Sequence, residues 1–231
     1  MLNELLFIFH ALLTITFILG ALRVSKEFLL ATTVVSWIFA NLFVLKQIEL
    51  FGLSVTASDA FSVGGSIGIA LLNEFYGKKF AKRAVFLGFY LLVIFAIMSW
   101  IQLAYQPSSS DTMHVHYANI LGTMPRLVLA SLVAYLVSSL MNVAFSAFLQ
   151  KIANGRYVLI RTVLVVGVVQ LLDTLLFTYL GLYGILLSLS SIVLFSFIIK
   201  CFSLIISAPL VGYFLLKKKK REEKLHEHIS F

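Results

Sequence analysis

Seven uninterrupted apolar runs, most of them about 20 residues long, constrain this chain before any motif is considered. They are Leu5–Leu22, Phe28–Leu45, Leu50–Phe75, Ala84–Tyr105, Pro125–Leu149, Val158–Leu180 and Ile185–Leu216. A helix rises about 1.5 Å per residue, so about 20 residues cross a hydrocarbon core of about 30 Å. An outer-membrane barrel would instead alternate apolar and polar residues in segments of about 10. Of the 231 residues, 61% are hydrophobic and 12% charged, whereas soluble domains carry about 25% charged residues. A protein core cannot absorb that apolar excess, but a lipid-facing surface can. The expectation is an all-α integral membrane protein, one transmembrane domain over 1–231 with about seven transmembrane helices, lying in the cell inner (plasma) membrane.

Lys and Arg set the orientation. They fall at Arg23 and Lys26 after the first run, at Lys78, Lys79, Lys82 and Arg83 after the third, at Lys151 and Arg156 after the fifth, and from Lys217 to Lys224 in the tail. These four regions alternate along the chain, and only Lys46 falls on the opposite side. Cytoplasmic loops retain cations, so the C-terminus is expected inside, with 217–231 a basic cytoplasmic tail, and the N-terminus outside. The formal charge of +8 is thereby read as topology and anionic lipid rather than nucleic acid. The first run has no Lys or Arg before it and no small-x-small site before Arg23, so it reads as a retained helix, not a cleaved signal.

Two runs are irregular. The third holds Ser54 to Asp59 and then Gly64, Gly65 and Gly68. It reads either as a broken helix or re-entrant segment beside a cavity, or as a Gly-x-x-x-Gly packing face. The seventh is longer than a bilayer core, with Ser188, Ser190 and Ser191 at a soft start and Pro209 at a kink. The longest connection, Gln106 to Met124, carries His114 and His116 and reads as a solvated outer loop, since no third metal ligand is near.

Asp59, Glu74, Arg126, Arg161, Asp173 and Lys200 lie inside or at the edge of the apolar runs. A charge at mid-bilayer costs about 2.5–3.5 kcal/mol on insertion scales, so such groups face a bundle interior. Gln170 and Asp173 share a helix face, Thr174 lies one turn from Gln170, and Asn142 adds an amide. An Asp173–Lys200 pair that only joins helices is one reading. A polar pocket for a solute is the favoured one, because unlike polar groups recur in successive helices. Arg126, Arg161 and Glu74 lie near helix ends, within reach of the interface. Acids, amides and one cation among many aromatic rings suit a planar, purine-like heterocycle: a carboxylate accepts paired N–H groups from a guanine-type edge, and Phe or Tyr stacks on its face.

The run Leu72-Asn73-Glu74-Phe75-Tyr76-Gly77-Lys78-Lys79-Phe80-Ala81-Lys82-Arg83 resembles the acid-aromatic-Tyr-Gly-basic junction of the queuosine precursor transporter (VUT) family. So do Pro125 to Ser131 with Ala134 and Tyr135, then Arg161, Gln170 and Asp173 to Phe177, then Lys200, Pro209 and Tyr213. The resemblance runs from about Thr56 to Leu216. It implies import of a 7-deazaguanine base used to make queuosine in tRNA, and a bundle similar to the substrate-binding subunits of energy-coupling-factor vitamin importers. It makes 28–216 a six-helix family-like core and Leu5–Leu22 an added helix. Glu74, Arg126, Gln170, Asp173 and Lys200 match family polar positions, with Asn73, Asn142 and Asp59 completing the candidate set for substrate. Ile69 and Ala70 stand where many members have Asn-Asp, a loss for which Asp59 is read as compensating, and Asn142 stands where many have Asp. These departures lean away from the aminomethyl form of the base. Among the acids, Asp173 and Glu74 are expected to lead.

No cofactor is implied. The chain has no Walker A pattern, because Leu72 stands where its first Gly would be and Lys79 where its Ser or Thr would be. A vitamin-type binding subunit working with a separate ATPase module is therefore the alternative function, and a homo-oligomer stays open. No Ser-His-Asp set or His-Glu-x-x-His motif points to an enzyme.

Overall fold

The structure, a computed structural model, describes residues 2–122, 125–184 and 189–229. The expected start of the seventh run at Ile185, with Ser188, and the end of the outer connection at Met124 lie outside these residues. So do the side chains of Ser54, Pro125, Ser191 and the basic tail.

The elements in chain order are α1 (Leu2–Val24), α2 (Lys26–Leu42), β1 (Gln47–Leu50), β2 (Leu53–Thr56), α3 (Asp59–Ala104), α4 (His114–Leu121), α5 (Pro125–Ile152), α6 (Val158–Phe177) and α7 (Leu189–Ile229). A π-helical turn, Thr178–Leu182, extends α6. Among the described residues, five helices are long and apolar enough to cross a membrane: α1, α3, α5, α6 and α7. The protein is thus a helical, multi-pass membrane protein. Its surface is inverted relative to a soluble fold. Phe17 (60%), Leu129 (61%) and Ile205 (66%) are exposed, while Asn142, Ser203 and Ser207 are fully buried. Lipid accepts the apolar side chains, and the buried polar ones must find partners within the bundle.

The third apolar run departs from expectation. It is not one helix from Leu50. A hairpin precedes α3, pairing Gln47 with Thr56 and Leu50 with Leu53. Its two-residue turn, Phe51 (φ 53°) and Gly52 (φ 76°), has the positive φ pair that matches strand twist. Phe51 is an unusual residue there, and its surroundings hold it. Its N–H donates to Glu4 Oε1 at 3.3 Å, and its ring meets Phe202 edge-on at 5.3 Å. Asn3 Nδ2 donates to Glu49 O at 3.1 Å, so the start of α1 also clasps the hairpin.

From Asp59 onward the helix runs unbroken through the glycines. A Cβ at Gly64, Gly65 or Gly68 would collide with Thr14, Trp37 or Thr33 respectively, so this face is where α1 and α2 pack closely on α3. The break comes at Gly77 (φ 83°, ψ 161°). A straight helix of 46 residues would be about 69 Å long. Instead Asp59 and Ser99 border one cavity, so the two arms of α3 fold back on each other. The connection after α3 is not wholly irregular either, since it contains the exposed helix α4.

All the basic turns meet at one end of the bundle. Arg23 lies over the Phe214 ring at 4.1 Å, Lys26 over Phe80 at 5.5 Å, and Arg161 joins the α5–α6 turn to Glu74, three residues before Gly77. The hairpin, the start of α3 and the end of α6 lie at the opposite end.

Candidate functional site

A cavity of about 610 Å³ opens in that opposite half, within the range of about 300–1,000 Å³ typical of small-molecule sites. Its floor joins three helices. Lys200 Nζ on α7 lies 3.0 Å from Asp173 Oδ2 on α6 and 3.9 Å from Asp59 Oδ1 at the start of α3. The ammonium also donates to Thr174 Oγ1 at 3.0 Å, and the Ser196 hydroxyl, one turn before Lys200, donates to both Asp59 oxygens at 3.3 and 3.4 Å. Lys200, Asp59 and Asp173 are 5%, 4% and 9% exposed. Two carboxylates thus share one ammonium, and the tighter bond goes to Asp173. Asp59 keeps the looser contact and so has more capacity to accept from a ligand. Its position at the N-terminus of α3 also favours a negative charge.

The walls are largely aromatic and apolar, with Trp37, Phe95, Trp100, Tyr135, Phe177 and Phe195 among them. Trp37 and Tyr135 meet edge to face at 5.0 Å, and the Tyr135 hydroxyl donates to Val85 O at 3.1 Å. Gly88 leaves the room that this hydroxyl needs. Higher on the wall, Asn41 donates to Trp37 O at 2.9 Å and accepts from the Ser131 hydroxyl, tying α2 to α5. Flat rings around a charged floor can hold a planar polar molecule by stacking and directed hydrogen bonds.

The other candidates occupy different places. Gln170 is one turn below the floor and does not line the cavity; its amide donates to Ser62 O at 2.9 Å and Ser66 Oγ at 2.8 Å. Asn142 donates to Ser66 O at 2.9 Å. Both amides clamp α3 from below the site. Asn73 is deeper still, 1% exposed. Glu74, expected as a leading acceptor, is instead held by Arg161 in a two-pronged pair at 2.9 and 3.0 Å at the basic end. Arg161 further donates to Arg156 O and Gly155 O at 2.7 and 3.3 Å. It therefore points into the bundle rather than out to the interface. Arg126 is exposed at the opposite rim, where its Nε donates to Leu180 O at 2.8 Å. Sequence reasoning missed Ser196, Trp37 and Asn41. The last two stand four residues apart on α2, and Ser196 four before Lys200, which are helix-face spacings visible without a structure. Among the described residues no three His, Cys, Asp or Glu side chains gather to hold a metal ion.

Comparison with known proteins agrees with this reading of the chain as a transporter-like bundle. Residues 66–214 match the family described as "Putative vitamin uptake transporter". Among curated proteins, the chain is similar to the "Probable queuosine precursor transporter" of Bacillus subtilis (strain 168), with 36% identity over 149 residues. That alignment takes in 63% of this chain and 64% of the relative, so the chain spans just under two thirds of the length of the protein it matches. No solved structure matches. The matched segment runs from the glycine face of α3 through the Glu74–Gly77 junction to Phe214 and takes in Asp173 and Lys200, and by that extent the chain belongs to the vitamin uptake transporter (VUT) family.

Proposed function

We propose that this protein imports a queuosine precursor, a 7-deazaguanine base, across the cell membrane. The observation that carries the proposal is the floor of the cavity, where two acids and one ammonium stand beneath aromatic walls. Asp59 and Asp173 accept N–H groups from the guanine-type edge of the base, and Lys200 donates to its ring carbonyl. The naming of the Bacillus subtilis relative as a probable queuosine precursor transporter supports the same substrate class. Glu74 leaves the list of base-contacting residues in this reading, and Asp59 takes its place.

The topology belongs to the same proposal. Helix α2 has 17 residues, the short limit for a spanning helix of about 17. Counting it and the two arms of α3 separately gives seven crossings. In this reading α1 is an element added to a six-helix core that begins with α2, and the family match, which begins at Ser66, leaves out both helices. With the basic turns on the cytoplasmic side, the N-terminus is outside, the C-terminus inside, and the cavity opens outward.

The test is uptake in a bacterial strain that makes no queuosine precursor and lacks its own importer. The 7-cyano base, the 7-aminomethyl base and queuine are supplied separately, queuine together with an enzyme that inserts it into tRNA. Queuosine in tRNA is read by a boronate gel shift. At least one base gives a shift, and Asp173→Asn at normal membrane level abolishes it. No shift with any base would overturn the substrate assignment and favour another small nutrient, carried with a separate ATPase module. A normal shift with Asp173→Asn would remove Asp173 from the site.

A further inference from the structure

Below the floor, the packed core between α3, α5, α6 and α7 is more polar than helix packing requires. On α7, Lys200, Ser203 and Ser207 follow one another at i, i+3 and i+7, so they lie on one face. Both serines are 0% exposed, and neither hydroxyl has a hydrogen-bond partner among the described residues. On α3, Ser62, Ser66 and Asn73 follow the same rule. Asn73 is 1% exposed, and neither atom of its amide is partnered. Asn142 and Ser146 continue the pattern on α5, bonded to each other at 3.2 Å. Gln170 links this series to α6 through Ser62 and Ser66. At about 1.5 Å per residue, the series descends about 20 Å from Asp59 to the level of Glu74. There the two-pronged Glu74–Arg161 pair closes it, fastened to the α5–α6 turn by two backbone carbonyls and standing three residues from the Gly77 break.

We propose that this polar core is the inner half of the transport route, closed in this state, and that the Glu74–Arg161 pair is its inner latch. The large majority of groups that stay buried for packing alone satisfy their hydrogen bonds. Asn73, Ser203 and Ser207 do not, and they lie in line between the substrate floor and an ion pair. Parting of the helices at the latch gives them water and a passing base as partners. Gly77, whose backbone already departs from the helix, gives the inner arm of α3 a point about which to move. The inference rests on the transporter reading and adds to it the path, its closed end and the residues along it.

The test uses thiol labelling. Cys201→Ala gives a cysteine-free chain, because Cys201 is its single cysteine. Ser207→Cys, Asn73→Cys and, as a lipid-facing control, Ile205→Cys are introduced one at a time. Inside-out membrane vesicles are treated with a membrane-impermeant trimethylammonium methanethiosulfonate reagent. With the latch intact, Ser207→Cys and Asn73→Cys label slowly. Glu74→Gln speeds both at least about tenfold, as expected when the closed state loses its differential stabilisation, and leaves Ile205→Cys unchanged. A second measurement keeps the native latch and adds the 7-cyano base, whose turnover also speeds Ser207→Cys labelling. If Glu74→Gln fails to reach the membrane, this second measurement decides. Uptake of the base without a change in either labelling rate overturns the route and leaves the transporter reading intact. Faster labelling in Glu74→Gln without uptake of any base upholds the route and overturns only the substrate.

Discussion

The two buried ion clusters of this protein use the same elementary chemistry and do different work. At the basic end, Arg161 meets Glu74 with two parallel bonds and spends its remaining donors on the carbonyls of Arg156 and Gly155. A planar guanidinium matched to a carboxylate leaves little capacity for a third party. At the cavity floor, a single ammonium serves Asp173 at 3.0 Å and Asp59 at 3.9 Å. Lysine is a compact charge with rotatable donors, and two acids around it leave one negative charge unmatched within the trio. The closed cluster fastens helices. The open one faces a cavity, and in the proposed function a ligand completes it. Membrane-buried charge therefore points to a ligand site only when its coordination is unfinished, and residue type alone does not tell the two cases apart.

The largest effect should come from breaking the floor. Lys200→Met leaves Asp173 buried without its cation, and breaking a buried pair by removing one partner costs about 3–5 kcal/mol. Thermal unfolding in detergent should show that loss, and uptake should fall to background. Adding Asp173→Asn should recover part of the stability, since one of the two stray charges is gone and Asp59 still lacks its cation, and none of the uptake, because the ligand contacts stay lost. Recovery of uptake by the double variant would make the floor a helix clamp like its counterpart. A smaller effect is expected at the closed cluster. Arg161→Lys keeps the charge but loses the fork, which should lower stability by about 1–3 kcal/mol, the worth of a charge-assisted hydrogen bond, while substrate affinity at the distant floor stays unchanged. A loss of affinity equal to that of Lys200→Met would erase the distinction between the clusters. The smallest effect should follow Thr174→Val, which removes one hydroxyl acceptor from Lys200. Affinity should weaken several-fold, in keeping with about 1 kcal/mol for one hydrogen bond, with membrane level unchanged.

Much of the candidate site was legible because the bilayer makes buried charge conspicuous. Asp173 and Lys200 stand deep in apolar runs, and their pairing follows once α6 and α7 are neighbours. Asp59 was harder to read, since its run mixes a hairpin with a helix and hydropathy alone averages the two. Glu74, expected as an acceptor for the base, is paired with Arg161 instead, and for a related reason. Its motif position is clear, but whether a carboxylate faces a ligand or an arginine depends on which turn packs beside it. The partner, Arg161, which follows the Gly155–Tyr157 turn, is 87 residues away in sequence.

Amino-acid order alone places the chain in a membrane as a bundle of apolar helices, and tells which ends of those helices gather the cations and which charges must be hidden from lipid. Those are consequences of length, hydropathy and charge, which act residue by residue and need no knowledge of neighbours. It took the folded bundle to show that Gln47 to Thr56 pairs as a hairpin, that the glycines of α3 receive Thr14, Trp37 and Thr33, and that Lys200 stands between two acids while Arg161 closes on one. The physical reason is that packing and hydrogen-bond completion are properties of pairs, and the partners here come from segments that share no local signal.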